Sequence, residues 1–170
     1  MSRDPVIQVP IGGLAATRAP GLLSTLLGSC VGMVVQDLRA HVAVLAHVVR
    51  PNGQGAGMGP AYFANLAAPR ARDLAIQTGG NPRELLVRMV GGGRMVAGGA
   101  DIGARNAEAI KEATYQLGMT FGGHLDGPAD GGCFCVVDAA SGKVVVKRLG
   151  GGTLDDRVWR QVRDDLESPR

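Results

Sequence analysis

Leu22-Leu-Ser-Thr-Leu-Leu-Gly-Ser-Cys-Val-Gly-Met-Val-Val-Gln-Asp-Leu-Arg-Ala-His-Val-Ala-Val-Leu-Ala-His-Val-Val49 reads as three strands in succession. Leu22–Leu27 is the first, and a corner at Gly28-Ser29-Cys30 follows it. Val31–Gln36 and Val42–Val49 come next, apolar, rich in valine and bounded by turn residues. Taking Asp37–Ala40 as a four-residue loop makes the last two a hairpin. Gln36 then faces His41, Gly32 faces Leu45 and Cys30 faces His47. Directly opposed residues carry Cβ atoms about 4.5–5.5 Å apart on one side of the sheet. A thiol and an imidazole so placed can reach hydrogen-bond distance, which an activated cysteine nucleophile requires. Gly32 beside them leaves room for a substrate, and the Gly28-Ser29 corner can aim the Cys30 N–H outward as an oxyanion donor. His41 lies about 20 Å along the same strand and is excluded as the base.

Outward from this stretch the elements alternate. Val6–Val9 reads as a short strand, and Pro51–Pro60, rich in glycine, as a loop. Tyr62–Gln77 has helical periodicity with a kink expected at Pro69, and Leu85–Val90 is a strand entering the Gly91-Gly92-Gly93 turn. A second helix runs from Ile102 to Leu117, capped by Asp101 and stopped by Gly118. Met119–Leu125, Cys133–Asp138 and Val144–Leu149 are strands, the last two joined by a hairpin across Ala139–Gly142. Gly150-Gly-Gly152 reads as a hinge before a charged helix striped by Leu154, Val158, Val162 and Leu166. Strands grouped around helices imply α+β or layered α/β, with sheets packed on two or three helices. Residues 1–150 form the main domain and 151–170 a charged amphipathic tail.

Composition narrows the class. The chain has 170 residues, 45% of them apolar, and a net charge of +3, which argues for a folded core rather than disorder. The longest apolar run, Leu26–Val35, is broken by Gly28 and Ser29 and is far short of the ~20 residues of a membrane helix. No basic-then-apolar secretory signal opens the chain, so the expected compartment is cytoplasmic, without membrane insertion. The three cysteines, Cys30, Cys133 and Cys135, are too sparse for a disulfide scaffold. Dispersed basic residues and only 4% aromatics argue against nucleic acid. The glycine-rich Gly91–Gly103 segment lacks both phosphate-binding fingerprints, so a closely packed turn is the expectation there. Cys133 and Cys135 share one face of a strand and are expected to be plain thiols rather than zinc ligands. A lone cysteine in an apolar run is ordinarily inert and a lone histidine ordinarily structural, so spacing alone leaves a core reading of Cys30 and His47 open.

Several motifs go further. Leu27-Gly-Ser-Cys-Val31, followed by Ala46-His-Val-Val-Arg-Pro51, resembles the CheD family of chemoreceptor glutamine deamidases. The likeness continues at Tyr62, at Met89-Val-Gly-Gly-Gly93 ahead of Met95, at Ile102-Gly-Ala-Arg-Asn106 and at Ser141–Arg148. It implies a fold similar to the catalytic domain of cytotoxic necrotizing factors. It implies a cysteine amidohydrolase that converts receptor glutamines to glutamates through a thioester, with no metal or organic cofactor. Its substrates would be methyl-accepting chemotaxis receptors, and a CheC-type phosphatase is a further implied partner.

By position, Cys30 resembles the family's nucleophile and His47 its base. The family's third member, a threonine six residues before the cysteine, falls on Ser24, with Thr25 next to it. Three departures stand out. Pro128 and Ala129 replace glycines, Cys133 replaces an arginine, and Arg50 occupies a position that is apolar in the family. The alternative reading is a non-catalytic adaptor on the same fold, binding chemotaxis proteins such as CheC. A depressed thiol pKa at Cys30 is expected of the enzyme and not of the adaptor.

Overall fold

The computed structural model describes residues 5–55, 57–93, 101–126, 132–149 and 154–169. The readings of Met95, of residues 127–131 and of the hinge at 150–152 lie outside them. Nine strands and three helices are present among the described residues: β1 (Val6–Gln8), β2 (Leu14–Arg18), β3 (Leu22–Leu27), β4 (Val31–Asp37), β5 (Val42–Val48), α1 (Ala64–Gln77), β6 (Leu86–Gly91), α2 (Ile102–Gln116), β7 (Thr120–Asp126), β8 (Cys133–Asp138), β9 (Val144–Arg148) and α3 (Asp156–Glu167). One sheet has the order β1-β3-β8-β9 and the other β2-β5-β4-β6-β7. β1 runs parallel to β3 and β7 parallel to β6; the remaining pairs are antiparallel.

The pleat of the central strands sorts side chains into three cores. Val31, Met33 and Val35 of β4, with Val42, Val44, Ala46 and Val48 of β5, face the alanine-rich side of α1 and Ile110 of α2. Val34, Ala43 and Leu45 point the other way and meet Leu23 and Leu27 of β3 and the two β8 thiols, filling the space between the sheets. Phe134, Val136 and Val145 emerge from the far side of the first sheet and meet α3. The molecule is therefore layered helix, sheet, sheet, helix, a layered α+β architecture as the sequence implies. β4 and β5 are buried on both faces, which explains why they read as unbroken apolar runs instead of alternating ones.

Two readings need correction. β2 is absent from the sequence-based assignment because Leu14-Ala-Ala-Thr-Arg18 is an edge strand of small, half-buried residues with little hydrophobic contrast. The hairpin register also differs. Asp37 belongs to β4 and pairs with Val42, so the loop is Leu38–His41. The Asp37 carboxylate accepts from the N–H groups of Arg39 and Ala40, each at 3.0 Å, and from Asn81 at 2.8 Å. His41 closes the turn in the left-handed region, with φ of 54°. Moving the loop by one residue makes Gly32, not Cys30, the partner of His47.

Candidate active site

The β4–β5 ladder ends at Val31 paired with Val48, and Cys30 lies just beyond it at the corner. Since Gly32 faces His47, Cys30 is a diagonal neighbour of the imidazole rather than its direct opposite. Diagonal partners sit about 7–8 Å apart along the backbone, still on one side of the sheet. The loop error therefore changes the distance but keeps the face, because a shift of two residues preserves the pleat. Gly32 does not open a space: a methyl there would find Leu27 Cδ1 at 3.2 Å and Leu45 Cδ1 at 3.5 Å. The expected room for substrate beside Gly32 is filled by these leucines.

His47 is only 2% exposed and points into the layer between the sheets. Its main chain is clamped from both sides, His47 N–H donating to Gly13 O and Gly12 N–H to His47 O, each at 3.0 Å. The imidazole Nδ1 lies 2.8 Å from Thr25 Oγ1, and that hydroxyl lies 2.8 Å from the Val9 carbonyl oxygen. A hydroxyl has one proton and a carbonyl can only accept, so Thr25 donates to Val9. Nδ1–H then donates to Thr25 Oγ1, and the neutral ring keeps its lone pair on Nε2. Two fixed partners on β3 and its flank thus select the tautomer of a residue on β5.

Ser24, the sequence-predicted third residue, is elsewhere. It pairs with Val136, whose side chain lies in the α3 layer, whereas Thr25 pairs with Cys135 in the layer between the sheets. Successive strand residues point to opposite faces, so Ser24 and Thr25 cannot both reach His47. The strand pattern does not choose between them, since Leu22 and Leu26 share parity with Ser24 as Leu23 and Leu27 do with Thr25.

The corner itself is held by the glycine turn. Gly92 N–H donates to Cys30 O at 2.9 Å and Gly93 N–H to Gly28 O at 3.2 Å. Gly91 and Gly92 have φ of 84° and 79°, values that a side chain would strain. His124 on β7 donates from Nε2 to the Gly91 carbonyl at 2.8 Å, bracing the turn from behind. Among the described residues, no hydrogen bond is made by the N–H of Ser29 or Cys30, nor between Cys30 Sγ and His47.

Electrostatics keep both groups neutral. Burial pushes the Cys30 thiol above its ordinary value, while the Arg50 guanidinium pulls in the opposite direction. Burial pushes His47 down to about 4. The resting pair is thiol and neutral imidazole, not the depressed thiolate expected of a preformed ion pair. Cys133 and Cys135 are core thiols, raised by burial, Cys133 to about 11. No group of three or more His, Cys, Asp or Glu side chains able to hold a metal occurs among the described residues. Among them also, no helix is long and apolar enough to cross a membrane. Two concavities, of about 270 Å³ between α1 and α2 and about 430 Å³ beside Arg88 and Lys143, include neither Cys30 nor His47.

Comparison with known proteins adds a second line of observation. The profile of a family described as CheD chemotactic sensory transduction matches residues 49–148, a span that begins just after His47. The chemoreceptor glutamine deamidase CheD of Thermotoga maritima is 31% identical over 151 residues, covering 85% of this chain and 92% of that protein. A probable chemoreceptor glutamine deamidase CheD of Desulforamulus reducens is 32% identical over 152 residues, covering 85% and 91%. One of Methanococcus maripaludis strain C6 is 29% identical over 147 residues, covering 84% and 95%.

Proposed function

The chain belongs to the CheD family, and from that premise we propose that it is a cysteine-dependent protein-glutamine deamidase acting on chemoreceptors. The observation that carries the mechanism is the Val9–Thr25–His47 chain of hydrogen bonds, which leaves Nε2 as the basic atom of the ring. Cys30 is the nucleophile, His47 the general base and Thr25 the residue that holds the tautomer; Ser24 has no role in this scheme.

Because thiol and imidazole are both neutral at rest, attack is coupled to proton transfer. Cys30 Sγ bonds to the glutamine carboxamide carbon as its proton passes to His47 Nε2. The oxyanion is met by the free N–H groups at the Ser29–Cys30 corner. Imidazolium returns the proton to nitrogen, the C–N bond breaks and ammonia leaves a thioester. Water then adds to that carbonyl, giving its proton to His47, and collapse expels the Cys30 sulfur, which regains the proton. The net change is amide plus water to carboxylic acid plus ammonia.

The adaptor reading, with a CheC-type phosphatase as one partner, is favoured by a single observation: the thiol is raised rather than depressed. Incubating the protein with a chemoreceptor signalling fragment and measuring ammonia release and amide-to-acid conversion by mass spectrometry separates the two. Conversion by the wild type that Cys30→Ala and His47→Ala both lose is the expected result. Binding of the fragment or of a CheC-type phosphatase without any conversion would establish the adaptor.

A further inference from the structure

An oxyanion hole works because its donors are aimed before the charge develops. The Ser29 and Cys30 N–H groups sit at a corner led by Gly28, so their aim is set by what grips the neighbouring peptides. A trans peptide is planar, with its C=O and N–H pointing in opposite directions. Gly93 N–H holds the Gly28 carbonyl at 3.2 Å, which turns the N–H of that same peptide, the one on Ser29, away from the glycine turn. Gly92 N–H holds the Cys30 carbonyl at 2.9 Å. This N–H belongs to the peptide whose oxygen, Gly91 O, lies 2.8 Å from His124 Nε2. A carbonyl only accepts, so Nε2 carries the proton. One rigid plate thus links the imidazole of His124 to the main chain of Cys30.

A bulge brings His124 to this place. The β6–β7 ladder pairs Val87 with Phe121 and next Met89 with His124, two steps along β6 against three along β7. The extra residue falls at Gly122-Gly123, where Gly123 has φ of 117° and a methyl on Gly122 would stand 2.6 Å from Leu86 Cδ1. In unbroken register His124 would pair with Val90, whose side chain lies between the sheets. The bulge gives it instead the face of Met89, on the helix side of the sheet. His124 is exposed and belongs to none of the apolar clusters, so core packing does not account for its bond to Gly91.

We propose that His124 is a positioning residue of the oxyanion corner, its Nε2–H fixing the Gly91–Gly92 peptide and, through it, the main chain of Cys30. An amide whose oxygen accepts a hydrogen bond donates more strongly from its N–H, so the same contact tightens the grip on the Cys30 carbonyl. The inference rests on the reading of Cys30 as a nucleophile toward carbonyl carbon and requires no glutamine turnover for its test.

Two reagents separate the aim of the corner from access to the sulfur. With p-nitrophenyl acetate, Cys30 Sγ bonds to the acetyl carbon, its proton passes to His47 Nε2 and nitrophenolate leaves, by way of a tetrahedral oxyanion. Alkylation by iodoacetamide displaces iodide and builds no oxyanion. Both rates are followed by mass spectrometry of the Cys30 peptide at about pH 8.5, the ordinary free-thiol value. In His124→Leu, which keeps bulk without a donor, the acetylation-to-alkylation ratio is expected to fall about tenfold, with alkylation within about twofold of wild type. His124→Gln, which returns an N–H donor, is expected to restore most of the ratio. On a chemoreceptor fragment the same loss should appear in kcat, with KM little changed. An unchanged ratio in His124→Leu would overturn the proposal, as would a Gln variant no better than Leu, an equal fall of both rates, or a wild-type Cys30 silent to both reagents. A wild type that converts no glutamine yet shows the ratio effect leaves this inference standing and removes only the deamidase reading. Conversion with an unaffected ratio does the reverse.

Discussion

Thr25 is a small residue with two demands on one hydroxyl, accepting from His47 while donating to Val9. Replacing it by Val strands a buried N–H and a buried carbonyl at once, each costing about 1–3 kcal/mol. It also frees the ring to adopt the wrong tautomer. Thr25→Val is expected to lower the deamidation rate about 10²-fold, within the range a positioned general base contributes. Thr25→Ser retains most of it, and Ser24→Ala leaves the rate unchanged; kcat measurements on the three variants check this. The imidazole has a second consequence. Its value falls from 6.5 to about 4 on folding, so the unfolded chain binds a proton that the native one refuses. The stability this represents is fully present above pH 6.5 and is lost as pH falls toward about 4, amounting to about 3 kcal/mol. Urea midpoints across that interval should fall in the wild type and be flatter in His47→Gln; equal slopes would refute the assignment.

Between elements, the decisive contact is the close approach of α2 to the glycine turn. A methyl on Gly103 would stand 2.1 Å from the Gly92 carbonyl oxygen, a backbone atom that cannot step aside without moving the turn. The same turn holds the Cys30 carbonyl through Gly92 N–H. Gly103→Ala is therefore expected to cost about 1–3 kcal/mol and to slow Cys30 alkylation, the two effects arising from one displacement. Denaturant unfolding together with alkylation of the variant tests this; lost stability with an undisturbed Cys30 would show the corner to be independent of the helix. Asn106 works from the same helix on the other side, tying α2 to Val49. Asn106 is thus a fastening between the helix and the end of β5.

Across the whole molecule, α3 extends the packing to a fourth layer. Val162 is fully buried, and Trp159 meets Phe134 edge to face with ring centroids 4.9 Å apart. Lys143 Nζ donates to the carbonyls of Asp165, Leu166 and Ser168, satisfying the open end of the helix, and Lys147 pairs with Asp165. Trp159 is the chain's one tryptophan, so its fluorescence reports this layer alone. If α3 is part of one cooperative unit, the fluorescence and far-ultraviolet circular dichroism transitions in urea should coincide. A fluorescence change that precedes loss of secondary structure would make α3 a detachable segment.

Local chemistry carried much of this into the sequence. Valine-rich runs, the Asp101 cap, the Gly118 stop and the hairpin at Ala139–Gly142 each state their structure within a few neighbouring residues, and the layered class follows from their order. Cys30 and His47 were visible as a pair because the pleat conserves parity even when the loop is misplaced by one residue. What depended on tertiary structure were the relations between distant segments. Asp37 joined β4 because Asn81, far along the chain, helps to hold its carboxylate. Thr25 rather than Ser24 met His47 because the first sheet packs with that face toward the second. The thiol and the imidazole are both pushed further toward their neutral forms because packing of the two sheets buries them, His47 more completely than Cys30. Facing, burial and dielectric belong to the packed layers, and no window of local sequence contains them.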